Sequence, residues 1–302
     1  LWILVRRRRK NGERGVGQRG SAMREHDALG MAAVGGDPSG RTDYSLMRAP
    51  SGDAEDAVAL RRSVISAEDI EKGERLGAGA FGEVTRARYH GAAVVVKRML
   101  VDDEREEKLF RGEVAILAKL RPHPNVVQFI GWCTQPLALV LEYVSGGSVL
   151  TWVQQRGAEL SKAAAEKILL DTAAGMRHLH AAGVLHLDLA ARNLLVRLGD
   201  GGTVDCVKVT DFGQAKGSEY GGTYTAGAGR TFPIRWMSPE VMRNQQLDRT
   251  ADVWSFGVVI YEVLSGGAKP YYRVMTNEAV VEGVAEGSLR LEARDVVMAG
   301  SG

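Results

Sequence analysis

An Asp and an Asn stand five residues apart in the stretch His186–Asn193, between apolar runs at 183–185 and 194–196. Apolar runs of this length are typical of strands or buried helix ends, so the polar residues between them are predicted to lie on a short loop held by core on both sides. One carboxylate and one carboxamide at this spacing could orient a hydroxyl and hold a metal ion. For this stretch alone, an ordinary loop with an Asx turn is the alternative.

Gly77, Gly79 and Gly82 form a Gly-x-Gly-x-x-Gly pattern that ends at Val84. The same spacing serves dinucleotide sites, where it joins a strand to a helix. Here strand-like residues lie on both sides, which predicts a hairpin instead. A glycine hairpin lets backbone N–H groups approach phosphates closely, and a plain turn is the alternative.

Lys97 ends the apolar run 94–96, so its stem is expected to be buried and its ammonium to need a partner. Glu113, in the helical pattern 102–120, is the candidate partner. Such a charge pair could hold a phosphate-binding lysine in place. The alternative is a solvated lysine and a surface glutamate.

Asp211 opens an Asp-Phe-Gly sequence after the strand-like run 207–210. A carboxylate at a strand end before a glycine hinge suits Mg²⁺, which accepts few protein carboxylates and keeps phosphate oxygens and water. A simple Asp-x-Gly turn is the alternative.

The elements that must position these residues change in type along the chain. Strand patterns prevail up to Tyr143 and helical patterns from Ser148 onward, with helices predicted at 161–181, 248–264 and 277–286. Strands first and helices second predict an α+β chain with two subdomains around a cleft.

The composition excludes some functions. A net charge of +2 gives no argument for a nucleic-acid partner. Cys133 and Cys206 are far apart, which favours a reduced, cytosolic compartment over a disulfide framework. The six His and two Cys offer no zinc-binding spacing.

The N-terminal residues differ from the rest. Residues 1–5 are apolar and 6–10 are all basic, as at the cytoplasmic end of a membrane-spanning helix. Because a span needs ~20 apolar residues, one hypothesis is that a missing upstream helix anchors the chain at the cytoplasmic face of a membrane. A solvated basic patch is the alternative. Residues 11–65 are predicted to be mostly disordered linker with short helical turns near 54–63, and 296–302 to be a tail.

The motifs appear in an order that resembles the eukaryotic protein kinase family from residue 66 to 295, with Ser238-Pro-Glu240 and Asp252-Val-Trp-Ser-Phe-Gly257 completing the set. The resemblance implies a bilobal kinase fold. A small antiparallel β-sheet lobe with one helix would cover 66–143, and a larger, mostly helical lobe without its last helices would cover 144–295. It also implies ATP and Mg²⁺ as cofactors and a protein hydroxyl as phosphoryl acceptor.

The same resemblance implies residue roles. Asp188 would be the catalytic base, Lys97 and Arg192 would be further catalytic residues, and Asn193 and Asp211 would hold Mg²⁺. The nucleotide would meet the glycine hairpin, the Lys97–Glu113 pair, the hinge behind a Leu141 gatekeeper and the residues around adenine: Leu76, Gly77, Gly79, Phe81, Gly82, Val84, Val95, Lys97, Glu113, Leu141, Glu142, Val144 and Leu195. A spine of stacked side chains would contain Leu117, Phe129, His186 and Phe212.

Substrate choice is less sharply indicated. Ala190 stands where serine/threonine kinases usually carry Lys, and Arg192 would take its place, as in tyrosine kinases. The segment 232–240 also looks like a tyrosine-kinase substrate ledge. The segment 123–131 is equally typical of the tyrosine-kinase-like group, whose members often phosphorylate Ser or Thr. Tyrosine is favoured; a Ser/Thr-specific enzyme and a catalytically weak pseudokinase scaffold are the alternatives.

Three features depart from the family pattern. Leu187 replaces the Arg that clamps a phosphorylated activation segment, so activity is predicted not to depend strongly on a phosphate within 211–240. Val95 replaces a preferred Ala, which predicts weaker ATP binding. Family domains continue past Asp295, and without the partner Arg that follows, Glu240 is expected to be a buried, unpaired carboxylate.

Overall fold

A computed structural model describes residues 54–79, 82–99, 104–217, 224–225, 233–244 and 246–292. The helices in these ranges are α1 (Ala54–Arg62), α2 (Glu104–Lys119), α3 (Val149–Arg156), α4 (Lys162–Ala181), α5 (Pro239–Asn244), α6 (Arg249–Leu264) and α7 (Asn277–Glu286). The strands are β1 (Ile70–Gly79), β2 (Gly82–Tyr89), β3 (Ala92–Met99), β4 (Phe129–Thr134), β5 (Leu137–Glu142), β6 (Val184–Leu185), β7 (Leu194–Leu198), β8 (Val204–Val209), β9 (Lys216–Gly217), β10 (Tyr224–Thr225) and β11 (Gln246–Leu247).

The first five strands form one antiparallel sheet in the order β1-β2-β3-β5-β4. Side chains alternate across a strand, so Val94 and Val96 of β3 join an apolar cluster on one face of the sheet. Val95 and Lys97 point to the other face, where Lys97 meets Glu113 of α2. The alternation along β3 therefore places Lys97 on the face of the sheet that contacts α2.

The second lobe is mostly helical. Helix α4 packs against β8 and α6, and the hairpin β7–β8 lies beside them. The sequence sets the helix starts, because side chains of Ser148, Ser161, Asp248 and Thr276 accept hydrogen bonds from backbone N–H groups of the first turns of α3, α4, α6 and α7. Caps of this kind stabilise a helix by about 1 kcal/mol each. The α+β, bilobal fold predicted from the sequence is confirmed.

The segment before the sheet corrects part of the linker prediction. Residues 54–62 form helix α1, and Leu60 is fully buried in the same core cluster as Phe110, Val114 and Trp132. The helical turns expected near 54–63 are therefore a packed helix, and the described part of the predicted linker belongs to the folded small lobe.

Other predictions fall outside the described residues, among them the basic cluster at 6–10, the linker up to residue 53, Phe81 and the tail 296–302. Within the described ranges, no helix is both long enough and apolar enough to cross a membrane.

Candidate active site

Lys97 joins the two lobes of the molecule through carboxylates. Its Nζ lies 3.6 Å from Oε1 of Glu113 in α2 and 3.3 Å from Oδ1 of Asp211 after β8. Glu113 is buried, whereas the side chain of Asp211 is 44% exposed and faces the cleft. A single ammonium is thus held between one buried and one accessible carboxylate.

The glycine pattern forms the predicted hairpin. Gly77 pairs with Val84 and Gly79 with Gly82 across β1 and β2. Gly82 has φ +139°, and a Cβ on it would lie 1.7 Å from the carbonyl oxygen of Arg98. No side chain fits there, so glycine is required for β2 to approach β3 this closely. Leu76 is part-buried in β1.

Asp188, Arg192 and Asn193 come together on the loop between β6 and β7. Arg192 donates from Nη2 to Oδ1 of Asp188, and Asn193 donates from Nδ2 to Oδ2 of Asp188 at 2.9 Å and to its backbone oxygen at 2.7 Å. Arg192 also lies over the ring of Trp236, 4.5 Å from its centroid. Both oxygens of the carboxylate are therefore oriented by neighbours on the same loop.

Asp211 and Phe212 turn in opposite directions. Asp211 has φ +65° and reaches Lys97, while Phe212 is buried with its ring centroid 5.5 Å from that of His186. Leu117 and Phe129 lie in the same core cluster as Phe212. The Phe side chain anchors the turn, and the Asp side chain is left facing the cleft.

The hinge between the lobes contains Leu141, Glu142 and Val144. Leu141 pairs with Val95 across the sheet, and Val144 is buried. The side chain of Glu142 accepts hydrogen bonds from Nζ of the buried Lys208 and from the backbone N–H of Gln128, both at 2.7 Å. Leu195, from β7, is part-buried in the large lobe.

Two acidic residues of α6 hold the loop 186–193 through hydrogen bonds, and no role was predicted for either from the sequence. The carboxylate of Asp252 accepts from the backbone N–H groups of His186 and Leu187, at 2.9 and 2.8 Å. Glu262 accepts from the N–H of Ala191 at 2.8 Å and from Trp236 Nε1 at 3.0 Å. For Glu262, its position within the apolar stretch 256–264 could have predicted such a role, because a buried acid needs hydrogen-bond partners.

The side chain of Leu187 lies in an apolar cluster with Leu185, Val241, Leu247 and Ala251. Leu187, which was predicted to remove the phosphate clamp, instead packs the loop against the first turns of α5 and α6 through apolar contacts. Glu240 differs from its prediction: it is only part-buried, and its Oε1 accepts from Thr250 Oγ1 at 3.2 Å. It is not an unpaired buried carboxylate.

Burial and charge shift the acid–base properties of the cleft. Burial alone would lower the pKa of Lys97, but the charges of Asp211 and Glu113 outweigh it and raise that pKa above its ordinary value. The Lys97 ammonium holds the pKa of Asp211 below its usual value. Burial raises the pKa of Asp188, against the opposing charges of Arg192 and His186. Lys97 and Asp211 are therefore both charged at neutral pH.

The donor set near Asp211 suits a hard, oxygen-seeking cation better than a transition metal. No group of three or more His, Cys, Asp or Glu side chains in the described ranges could hold a metal ion by itself. The exposed carboxylate of Asp211 and the amide oxygen of Asn193, whose nitrogen faces Asp188, fit Mg²⁺, which takes most of its ligands from phosphate and water.

Comparison with known proteins agrees with this geometry. Residues 70–298 match the family model described as protein tyrosine and serine/threonine kinase. Human tyrosine-protein kinase Fer is 38% identical over 230 residues, covering 75% of this chain and 27% of Fer. The tyrosine-protein kinase transforming protein Fps of avian sarcoma virus (strain PRCII) is 37% identical over 237 residues, covering 76% of this chain and 43% of Fps.

A relative that is named as a serine/threonine kinase is almost as similar. Serine/threonine-protein kinase STY46 of Arabidopsis thaliana is 36% identical over 230 residues, covering 75% of this chain and 38% of that protein. The chain therefore spans between about a quarter and two fifths of the length of these relatives. With the family model covering most of the chain, we conclude that it belongs to the protein tyrosine and serine/threonine kinase family and that residues 70–298 are its kinase domain.

Proposed function

We propose that the chain transfers the γ-phosphoryl group of ATP to a hydroxyl of a protein substrate, with tyrosine preferred. The observation that carries the proposal is the position of Lys97, bound to Glu113 of the small lobe and to Asp211 of the large lobe at once. In this arrangement the lysine is charged, oriented and open to the cleft. Phosphoryl transfer depends mainly on such positioning and on charge stabilisation.

Asp188 would accept the proton of the substrate hydroxyl. Arg192 and Asn193 orient its two oxygens, and a base must lie within hydrogen-bond reach of the proton that it removes. Its raised pKa makes it a stronger base than a solvated aspartate. Lys97 would hold the α- and β-phosphates, and Asn193 and Asp211 would hold Mg²⁺, which supplies positive charge to the phosphate oxygens.

The nucleotide would lie between the lobes. The glycine hairpin (Leu76, Gly77, Gly79, Phe81 and Gly82) would cover its phosphates. Val84 and Val95 from the sheet and Leu195 from β7 would contact the adenine ring, with the hinge backbone at Glu142 and Val144 beside it. This assignment rests on the strand alternation that turns Val84, Val95 and Lys97 to one face and on the family membership.

The preference for tyrosine rests on the catalytic loop and the ledge. Ala190 stands where serine/threonine kinases carry Lys, and Arg192 packs on Trp236 of the ledge. Fer and Fps are both named as tyrosine-protein kinases. The Ser/Thr alternative is supported by the similarity to STY46.

The test is Mg-ATP-dependent phosphorylation of a peptide library containing Tyr, Ser and Thr by the full chain. Asp188→Asn is expected to lower kcat by roughly 10²–10⁴-fold, the usual contribution of a general base. Asp205→Asn is the matched control, because this carboxylate belongs to an exposed ion pair with Arg197. Transfer to Ser and Thr alone would establish the Ser/Thr alternative, and no transfer by a folded chain would favour the pseudokinase scaffold.

A further inference from the structure

Helix α1 lies outside the residues matched by the family model, yet it contributes to the core of the small lobe. The match begins at residue 70, whereas α1 ends at Arg62. Leu60 has no exposed surface and shares a core cluster with Phe110 and Val114 of α2. The exposed Val58 on the same helix shows that only one face of α1 is used. The small lobe of this chain therefore includes an element that its family does not specify.

Polar contacts attach α1 at both of its ends. Near the start of α1, Asp56 forms an ion pair with Lys119 in the last turn of α2. Near its end, Trp132 Nε1 of β4 donates to the backbone oxygen of Leu60 at 2.9 Å. The chain then runs beside β4, where Ile65 N donates to Trp132 O at 2.9 Å and Trp132 N donates to Ser63 O at 3.0 Å. Helix α1 thus ties α2 to the sheet.

Gly131 provides the space for this attachment. A Cβ on Gly131 would lie 2.7 Å from Cγ2 of Ile65 and 2.9 Å from the backbone oxygen of Ser63. Any larger residue would displace the segment that follows α1. The close packing of residues 63–65 against β4 therefore depends on the sequence of both segments, including the glycine at position 131.

Helix α2 carries Glu113, so whatever fixes α2 also fixes the carboxylate that meets Lys97. Glu113 directly precedes Val114, which is fully buried in the cluster that contains Leu60. We propose that α1 is a positioning element of the nucleotide site: Leu60 and its contacts hold α2 where Glu113 reaches Lys97. The proposal rests on the proposed kinase function. Leu60 acts through Glu113 and does not itself touch the nucleotide.

A double-mutant cycle in the full chain tests this coupling. Leu60→Ala is expected to lower kcat/KM for ATP roughly tenfold, since small misplacements of a site residue cost up to about 10²-fold, and to leave the KM for the peptide unchanged. In a Glu113→Gln background, Leu60→Ala is expected to cause no further loss of kcat/KM, because the interaction through which it acts is already missing. Equal fold-losses in both backgrounds would overturn the proposal.

Two matched controls separate positioning from stability. Val58→Ala removes methyl groups from the exposed face of the same helix and is expected to leave kcat/KM unchanged. Val284→Ala opens a cavity at a fully buried site of α7 in a different cluster; it is expected to lower Tm as Leu60→Ala does, without the loss of kcat/KM when both are assayed well below Tm. An equal kinetic loss in Val284→Ala would show that Leu60 has only a structural role.

Two further variants keep the test decisive if Leu60→Ala does not fold. Asp56→Asn removes the ion pair to α2, and Gly131→Ala displaces residues 63–65. Both are expected to lower kcat/KM for ATP less than Leu60→Ala does, and to cause no further loss in the Glu113→Gln background. Losses of kcat/KM that add to that of Glu113→Gln would count against the proposal. Failure of the kinase function itself would look different, because the unmodified chain would then transfer no more phosphate than Asp188→Asn.

Discussion

Leu187 is a single residue whose backbone and side chain serve different neighbours. Its φ of +63° is a conformation that costs a non-glycine residue about 1–2 kcal/mol. The carboxylate of Asp252 offsets this cost by accepting from the consecutive backbone N–H groups of His186 and Leu187. Its side chain, 7% exposed, packs among aliphatic residues of α5, β11 and α6. The loop is therefore held by a carboxylate and by apolar contacts, and the side chain of Leu187 itself offers no positive charge to a phosphate.

This residue predicts weak dependence on phosphorylation of the activation segment. Replacing Tyr220, Thr223, Tyr224 and Thr225 together with Ala is expected to change kcat/KM by less than about threefold, because Leu187 offers no charge to pair with a phosphate. The measurement is peptide phosphorylation by the full chain, with Tm recorded to confirm folding. Loss of activity in a folded variant would contradict the prediction.

At the scale of elements, two histidines join the connection between α2 and β4 to helix α4. The rings of His123 and His178 stack with centroids 4.6 Å apart and planes 18° apart. His123 Nδ1 accepts from the N–H of Asn125 at 3.1 Å, and His178 Nε2 lies 2.9 Å from the backbone oxygen of Arg121. A nitrogen that accepts a backbone hydrogen bond carries no proton, so this contact requires a neutral His123.

The free energy of unfolding is therefore expected to fall as the pH is lowered and His123 must lose this contact to become protonated. Burial and the charges of His178, Arg177 and Lys208 lower the pKa of His123 from 6.5. Just below pH 6.5 the unfolded chain binds more protons than the folded chain, so stability rises with pH in that window and is lost as pH falls. His178→Gln removes the charge of His178 next to His123, so Tm is expected to fall less at low pH than in the parent chain. The difference is expected to be only roughly 1–2 °C, because solvent screens part of the repulsion.

The comparison is the change in Tm between about pH 7.5 and pH 5.5, on either side of the ordinary His pKa. His90→Asn, in the exposed β2–β3 turn, is the control and is expected to keep the slope of the parent chain. An unchanged slope in His178→Gln would contradict the role of the stacked pair.

At the scale of the whole molecule, the cleft is assembled from both lobes. The small lobe supplies the glycine hairpin, Lys97 and Glu113, and the large lobe supplies the loop with Asp188 and the turn with Asp211. Glu142 and the buried Lys208 connect the hinge to β8, the strand that leads to Asp211. A nucleotide between the lobes would therefore stabilise the molecule as one unit.

Mg-ATP is accordingly expected to raise Tm. At a hundredfold excess over Kd, a ligand that binds only the folded state adds about 2.7 kcal/mol, or roughly 5–10 °C for a domain of this size. Lys97→Met is expected to lose most of this shift, because the phosphates lose their cation, whereas Lys269→Met, on an exposed loop, keeps it. Equal shifts in both variants, measured by thermal denaturation with and without Mg-ATP, would place the nucleotide elsewhere.

Features that depend on local sequence patterns were predicted before the structure was known. Glycine spacing predicted the β1–β2 hairpin, and helical patterns predicted helices at 161–181 and 248–264, where α4 and α6 lie. The order of the motifs identified the family. Each single motif or pattern spans only a short stretch of sequence, so no knowledge of distant contacts was needed to recognise it.

Contacts between side chains that are distant in the sequence became visible only in the folded structure. It showed that Asp252 and Glu262 hold the loop 186–193, that Lys208 reaches Glu142, and that Leu187 packs in an apolar cluster. It also showed that α1, predicted as part of a linker, buries Leu60 against α2. A nine-residue helix with one buried leucine has little periodicity to recognise, and its stability comes from contacts made 50 to 72 residues away in the chain, at Phe110 and Trp132.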